Sequence, residues 1–132
     1  MTDPLVNAAV AARLRAHAPY SRFLVGAALR CDDGSVHAGC NVENAAYPQG
    51  VCAEAGAISA MVLAGPRRIA EIVIAARGSR PCTPCGGCRQ KLREFAGPEA
   101  RVRMVDEHGQ VLMQSTLDEL LPHSFGPEAL GF

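Results

Sequence analysis

The apolar positions along the chain change period several times. IAEIVIAA, residues 69–76, is a nearly unbroken apolar run, the pattern of a strand buried on both faces. FLVGAALRC (23–31) and SVHAGCNV (35–42) are two more strand candidates. DDGS, an Asp-Gly turn, joins them, so the pair reads as a hairpin. RVRMVD (101–106) and QVLMQS (110–115), separated by EHG, suggest a second pair of strands. Helical spacing appears between these runs. Leu5, Val6, Ala9, Val10, Ala12 and Leu14 form an apolar stripe, opened by Asp3-Pro4 and stopped by Pro19. CAEAGAISAMVLAG (52–65) is a second helix, closed by Gly65-Pro66. Gly56 inside it weakens the helix by roughly 1 kcal/mol relative to Ala, which points to close packing there. A third helix starts at Pro84 and runs to Phe95, and TLDELLP (116–122) is a short fourth with Thr116 as its cap. ENAAYPQG (43–50) is loop.

The resulting order, α-β-β-α-β-α-β-β-α, predicts an α/β fold whose sheet is covered by helices. A chain of 132 residues fits one domain, residues 1–132, and can bury a core without staples. With 48% hydrophobic and 20% charged residues it reads as an ordinary globular chain. Thirteen basic residues balance thirteen acidic ones. Proteins that hold polynucleotide phosphates usually carry a basic excess, so the balance favours a small neutral ligand over a nucleic acid polymer. The start, MTDPLVNAAV, lacks the basic segment of a signal peptide, and no apolar run approaches the length of a membrane span. These features predict a cytoplasmic protein with reduced thiols. Six cysteines in such a setting point to metal or catalysis before disulfides.

Three of the six lie in SRPCTPCGGCRQ, residues 79–90. Pro84 fixes the turn before Cys85, and Gly86-Gly87 lets the backbone approach closely before Cys88. Cys52-Ala53-Glu54 opens another helix in the same way. A thiolate at a helix start is favoured by the macrodipole and by free N–H groups. Two thiols from a C-x-x-C turn and a third from Cys52 would make the three protein ligands of a catalytic zinc, with a fourth position open. Glu54 would then stand beside metal-bound water. A C-x-x-C alone does not separate zinc from redox chemistry, although a proline before it and two glycines within it are not the usual redox filling. A closed structural zinc would need a fourth ligand, from Cys82, Cys31, Cys40 or a histidine. Cys82, ahead of Pro84, is expected to point away from the site.

The segments Cys52-Ala53-Glu54 and Pro84-Cys85-Gly86-Gly87-Cys88 resemble the signature of the zinc nucleoside and nucleobase deaminases. PYSRFLVGAAL (19–29), GCNVENAAYP (39–48), PCGGCRQ (84–90) and LDELLPHSFGPEAL (117–130) resemble, in order, the blocks of the small bacterial-type cytidine deaminases, over nearly the whole chain. The resemblance implies a three-layer α-β-α fold with a five-stranded mixed sheet. It implies Zn2+ held by Cys52, Cys85 and Cys88, hydroxide formed at the metal attacking C4 of cytidine or 2′-deoxycytidine, and Glu54 shuttling protons. It also implies that Asn41 and Glu43 bond the ribose 3′-hydroxyl, that Phe23 packs on the pyrimidine, and that the Ala53 backbone reads the amino-group edge. Tyr47 and Phe125 would lie at or near a neighbouring subunit's site in a homotetramer acting in pyrimidine salvage. Many three-cysteine relatives carry an arginine after the glutamate to offset thiolate charge. Here that position is Ala55, which leaves helix N-termini, N–H groups facing sulfur, and Arg89 to do that work.

Ordinary readings stand beside these. A strand Phe such as Phe23 is usually core. Asn41 and Glu43 near a turn commonly cap their own loop. Tyr47-Pro48 can be loop packing, whereas Phe125 in a polar tail needs a cover, such as a second subunit. His17 reads as a favourable charge at the end of the first helix. Cys31 and Cys40 read as small buried residues. No nucleophile elbow or phosphate loop is present.

Overall fold

Asp3 starts the first helix. Its carboxylate accepts hydrogen bonds from the N–H groups of Leu5 (3.0 Å) and Val6 (3.4 Å), two of the donors a helix start leaves without partners. In the computed structural model, which describes residues 3–132, helix α1 spans Pro4–Arg13. The other oxygen of Asp3 accepts from Arg103 at 2.8 Å, and Arg103 also reaches Glu71, fastening the helix start to the sheet.

Helix α1 ends well before Pro19, contrary to the sequence expectation. The N–H groups of Leu14, Arg15 and Ala16 bond carbonyls three residues back, which tightens the last turn. His17 then forms a bridge with Val42. Its N–H donates to the Asn41 carbonyl (3.0 Å), and its carbonyl accepts from the Glu43 N–H (2.7 Å). His17 is therefore a backbone clamp on the loop after the hairpin, not a helix-end charge.

Strands β1 (Val25–Cys31) and β2 (Val36–Cys40) form the expected antiparallel hairpin. Gly34, at φ 86°, makes its turn possible. Helix α2 (Ala53–Ala64), strand β3 (Ile69–Ala76), helix α3 (Gly86–Arg93), strands β4 (Ala96–Val105) and β5 (Val111–Thr116) and helix α4 (Leu117–Leu120) follow. Thr116 and Glu119 complete a capping box for α4.

The sheet order is β2-β1-β3-β4-β5. Only β3 and β4 run parallel, and α3 makes the crossover that parallel strands require. Central β3 is buried on both faces, as its apolar run predicted. Ile72 and Ile74 meet Met61 of α2, Leu92 of α3 and Leu117 of α4, while Val73 and Ala75 meet Leu5 and Ala9 of α1. The result is the expected mixed five-stranded sheet between helix layers. Strand β4 begins earlier than residue 101. Gly97-Pro98 looks like a turn in sequence, but Ala96 pairs with Ile69 and Arg101 with Glu71, and the residues between form a bulge within the pairing.

Helix α2 sits directly on β2. A β-carbon on Gly39 would collide with the backbone of Ala57 and lie 2.6 Å from the Gly56 carbonyl carbon and 2.7 Å from the Ala53 oxygen. The close packing expected at Gly56 falls on Gly39 instead, since a β-carbon on Gly56 would meet nothing beyond its own helix nearer than 3.5 Å, and the Gly39 contact fixes the height of the first turn of α2 over the sheet. Gly39→Ala is expected to destabilise the fold by about 1–3 kcal/mol through overpacking, read as a lower urea midpoint. An unchanged midpoint would show that α2 can lift without penalty.

Candidate metal centre and active site

The starts of α2 and α3 converge at one end of the sheet. Cys52 occupies the N-cap of α2 (φ −74°, ψ 157°) and Cys85 that of α3 (φ −66°, ψ 166°). Both have the extended backbone of a normal cap, but sulfur stands where a cap oxygen usually does. Cys88 falls in the first turn of α3, one helical turn from Cys85. The sulfur atoms of Cys52, Cys85 and Cys88 all lie within 4.8 Å of one another. Cys88 is buried while Cys52 and Cys85 are open to solvent.

The electrostatics suit a metal. Burial pushes the Cys52 and Cys88 thiols up, and the nearby charges of the other thiols and of Glu54 add to this. Cys85 is held down, chiefly because the Cys88 backbone N–H faces its sulfur. Three thiolates this close repel one another, and a divalent soft-accepting cation makes them tenable together. Three sulfurs with open exposure on one side fit the donor set of a catalytic zinc.

Glu54, in the first turn of α2, is the one charged residue classed as buried among the described residues, at 5% exposure. No salt bridge there involves it. Burial lifts its carboxyl above the ordinary value of 4.5, while its own backbone N–H and the Lys91 charge pull the other way. A cleft of about 180 Å³ brings it together with Val25, Asn41, Cys52, Ala53, Cys82, Thr83 and Cys85.

Asn41 is held on both sides of its amide. It donates to the Phe23 carbonyl (2.9 Å) and accepts from the Val25 N–H (2.8 Å), continuing the β1–β2 ladder with a side chain. The remaining candidates lie outside the cleft lining. Phe23 is half-buried against the core, with the Arg77 guanidinium carbon 6.0 Å from its ring centre. The Glu43 carboxylate accepts from the N–H groups of Tyr20 (3.0 Å) and Ser21 (3.1 Å) and from the Ser21 hydroxyl. It lines a second, larger hollow with Tyr20, Asn44 and Tyr47. Tyr47 is 75% exposed and meets Tyr20 edge-on. Phe125 is 58% exposed, on a third surface, where its carbonyl accepts from Gln90.

Two expectations need correction. Cys82 does not point away from the site; it is half-buried in the cleft wall, though outside the three-sulfur group. Residues 77–85 form a connection and not a strand, so alternation gave no guide to its direction. Arg89 does not bond sulfur. Its guanidinium donates to the carbonyls of Pro84 and Leu120, both at 2.7 Å, tying the cysteine turn to the end of α4. Sequence reading also missed Ser21 as the group holding Glu43; a hydroxyl residue two places after Pro19, in a loop, was the available signal. Cys31 is buried as expected, whereas Cys40, on the edge strand β2, is only half-buried.

Residues 2–104 match the family model of the cytidine and deoxycytidylate deaminase zinc-binding region. The chain belongs to the cytidine deaminase family. The cytidine deaminase of Halalkalibacterium halodurans is 41% identical, over 94% of this chain and 93% of that protein. That of Sporosarcina psychrophila is 37% identical, over 98% and 95%. Among solved structures, the cytidine deaminase of Burkholderia pseudomallei superposes with a TM-score of 0.86 at 43% identity, covering 95% of this chain and all of that one. Membership in this zinc-binding family and the three-sulfur group agree on Zn2+ as the cofactor. No helix among the described residues is long and apolar enough to cross a membrane.

Metal analysis of the purified protein is expected to give one zinc per chain. Cys52→Ser, Cys85→Ser or Cys88→Ser should each lose most of it, and Cys82→Ser should keep it. Zinc loss in the Cys82 variant would instead indicate a closed four-sulfur site.

Proposed function

We propose that the protein hydrolyses cytidine and 2′-deoxycytidine to uridine and 2′-deoxyuridine, releasing ammonia. The observation that carries this reading is the buried Glu54, without a salt-bridge partner among the described residues, in a cleft lined by Cys52 and Cys85 of the three-sulfur group. A fold tolerates such a carboxyl at a cost, and a carboxyl that must gain and lose a proton in each turnover needs that setting. Zn2+ held by Cys52, Cys85 and Cys88 supplies Lewis acidity that makes water nucleophilic near neutral pH.

Glu54 takes a proton from the attacking water and passes it to ring N3; it then takes the remaining proton from the oxygen newly bonded to C4 and gives it to the amino group, which leaves as ammonia as the C4 carbonyl forms. Burial raises its proton affinity toward that task. The cleft is smaller than the roughly 300–1,000 Å³ of a pocket for a drug-sized ligand, so it suits the base alone. Ala53, at the cleft wall, presents backbone to the amino-group edge, and Phe23 packs against the ring. The ribose extends toward Asn41 and, in the adjoining hollow, Glu43. Both side chains are fixed by the backbone they hold, so they meet the 3′-hydroxyl pre-oriented.

The whole of residues 1–132 forms this single catalytic domain. Exposed Tyr47 and Phe125, with Leu130 and Phe132, are the surfaces that partner subunits cover in a homotetramer, bringing Phe125 to a neighbour's site. The balanced charge supports a free nucleoside over a polynucleotide, and six free thiols support a reducing cytoplasm and a salvage role.

Incubation of the zinc-loaded protein with cytidine should shift the ultraviolet spectrum to that of uridine with equal release of ammonia. Glu54→Gln should retain zinc and lose about 10²–10⁴-fold in kcat, the range of a positioned acid–base group. An intact, zinc-bound protein that leaves cytidine unchanged would overturn the reading, and an active Gln variant would remove Glu54 from proton transfer.

A further inference from the structure

Three thiolates on one Zn2+ leave a net charge of −1, and Glu54 places a further carboxyl beside them. Such an anionic centre, partly withdrawn from water, calls for a cation. Three arginines of the adjoining segments are engaged elsewhere. Arg89 serves two carbonyls, Arg77 lies over Phe23, and Arg93 bonds Ser124 and Glu128. Ala55 offers no charge.

Lys91 differs from these. It is the chain's only lysine among thirteen basic residues. Among the described residues, no salt bridge or side-chain hydrogen bond given for the structure involves it. Helical side chains lean toward the N-terminus, over the residue four positions back. For Lys91 that residue is Gly87, between Cys85 and Cys88. The Lys91 Nζ lies 3.5 Å from where a β-carbon of Gly87 would stand, and apart from Gly86, Cys88 and the helix's own backbone no other described atom lies within 4 Å of that point. The missing side chain leaves the ammonium an open path to the cysteine turn. Lys91 itself stands in the last turn of α3, where a cation suits the macrodipole, and its side chain folds back one turn over Gly87.

We propose that Lys91 is the counter-charge of the metal centre: its ammonium, folded over Gly87, offsets the negative charge of the three thiolates and Glu54. It is a positioning residue in the electrostatic sense, touching neither substrate nor metal. The inference rests on the metal and Glu54 reading given above.

The test is zinc affinity, measured by competition between the zinc-loaded protein and a chromophoric chelator at low and high salt. Lys91→Met should weaken zinc binding about three- to tenfold at low salt, at the lower edge of what an outer partner contributes, because Lys91 is solvent-exposed. Lys91→Arg should stay within about twofold of the parent, and the Met deficit should shrink at high salt as screening removes the charge term. Lys91→Glu should fall below the Met variant. Unfolding of the metal-free variants checks that the exposed substitution leaves stability unchanged. Parent-like affinity in the Met variant, or equal loss in Met and Arg variants, overturns the proposal. No substrate enters the measurement, so a parent that binds zinc but spares cytidine overturns the deaminase reading without touching this one.

Discussion

Everything in the site depends on two helix starts meeting at one end of the sheet. Each has a cysteine at the N-cap, where most helices place an oxygen-bearing side chain. The positive dipole ends of both helices therefore meet at the same group of three sulfurs. Gly39 lets β2 approach α2 closely enough to set one start. The parallel β3–β4 pair sets the other, because α3 must span it. Neither start could shift alone without separating the sulfurs. The sheet is thus the ruler of the metal centre, and loops contribute mainly walls.

The parts legible in the sequence were those where local chemistry and tertiary context agree. Strand β3 was readable to the residue, because burial on both faces leaves a single polar interruption, the ion-paired Glu71. Asp3-Pro4 and Thr116 announced their helices through side-chain chemistry that acts within one turn. The three-cysteine group was readable because its members sit at the helix starts themselves. The misses arose where a distant partner decides. His17 leaves the helix because Asn41 and Glu43 offer it backbone bonds. Residues 96–100 join β4 because β3 absorbs them as a bulge. Arg89 turns from sulfur because two unpaired carbonyls lie within reach, one of them from the far end of the chain.

Several residues with a proposed chemical role also have a structural one. Asn41 completes a strand ladder and walls the cleft; Glu43 gathers the 19–21 loop and faces a hollow. The ordinary and the functional readings of these side chains are not alternatives. A polar group whose bonds to backbone are already made has no freedom to wander, which is what a recognition group requires.

The same helix that presents Cys85 and Cys88 also grips the end of the chain. Arg89 holds the Leu120 carbonyl, Gln90 the Phe125 carbonyl, and Arg93 both Ser124 and Glu128. Exposed segments away from a site are ordinarily the places where a change is harmless. Residues 120–128 are not such a segment: an alteration there pulls on a strap whose other anchor is the cysteine turn, so this exposed stretch belongs, mechanically, with the metal centre.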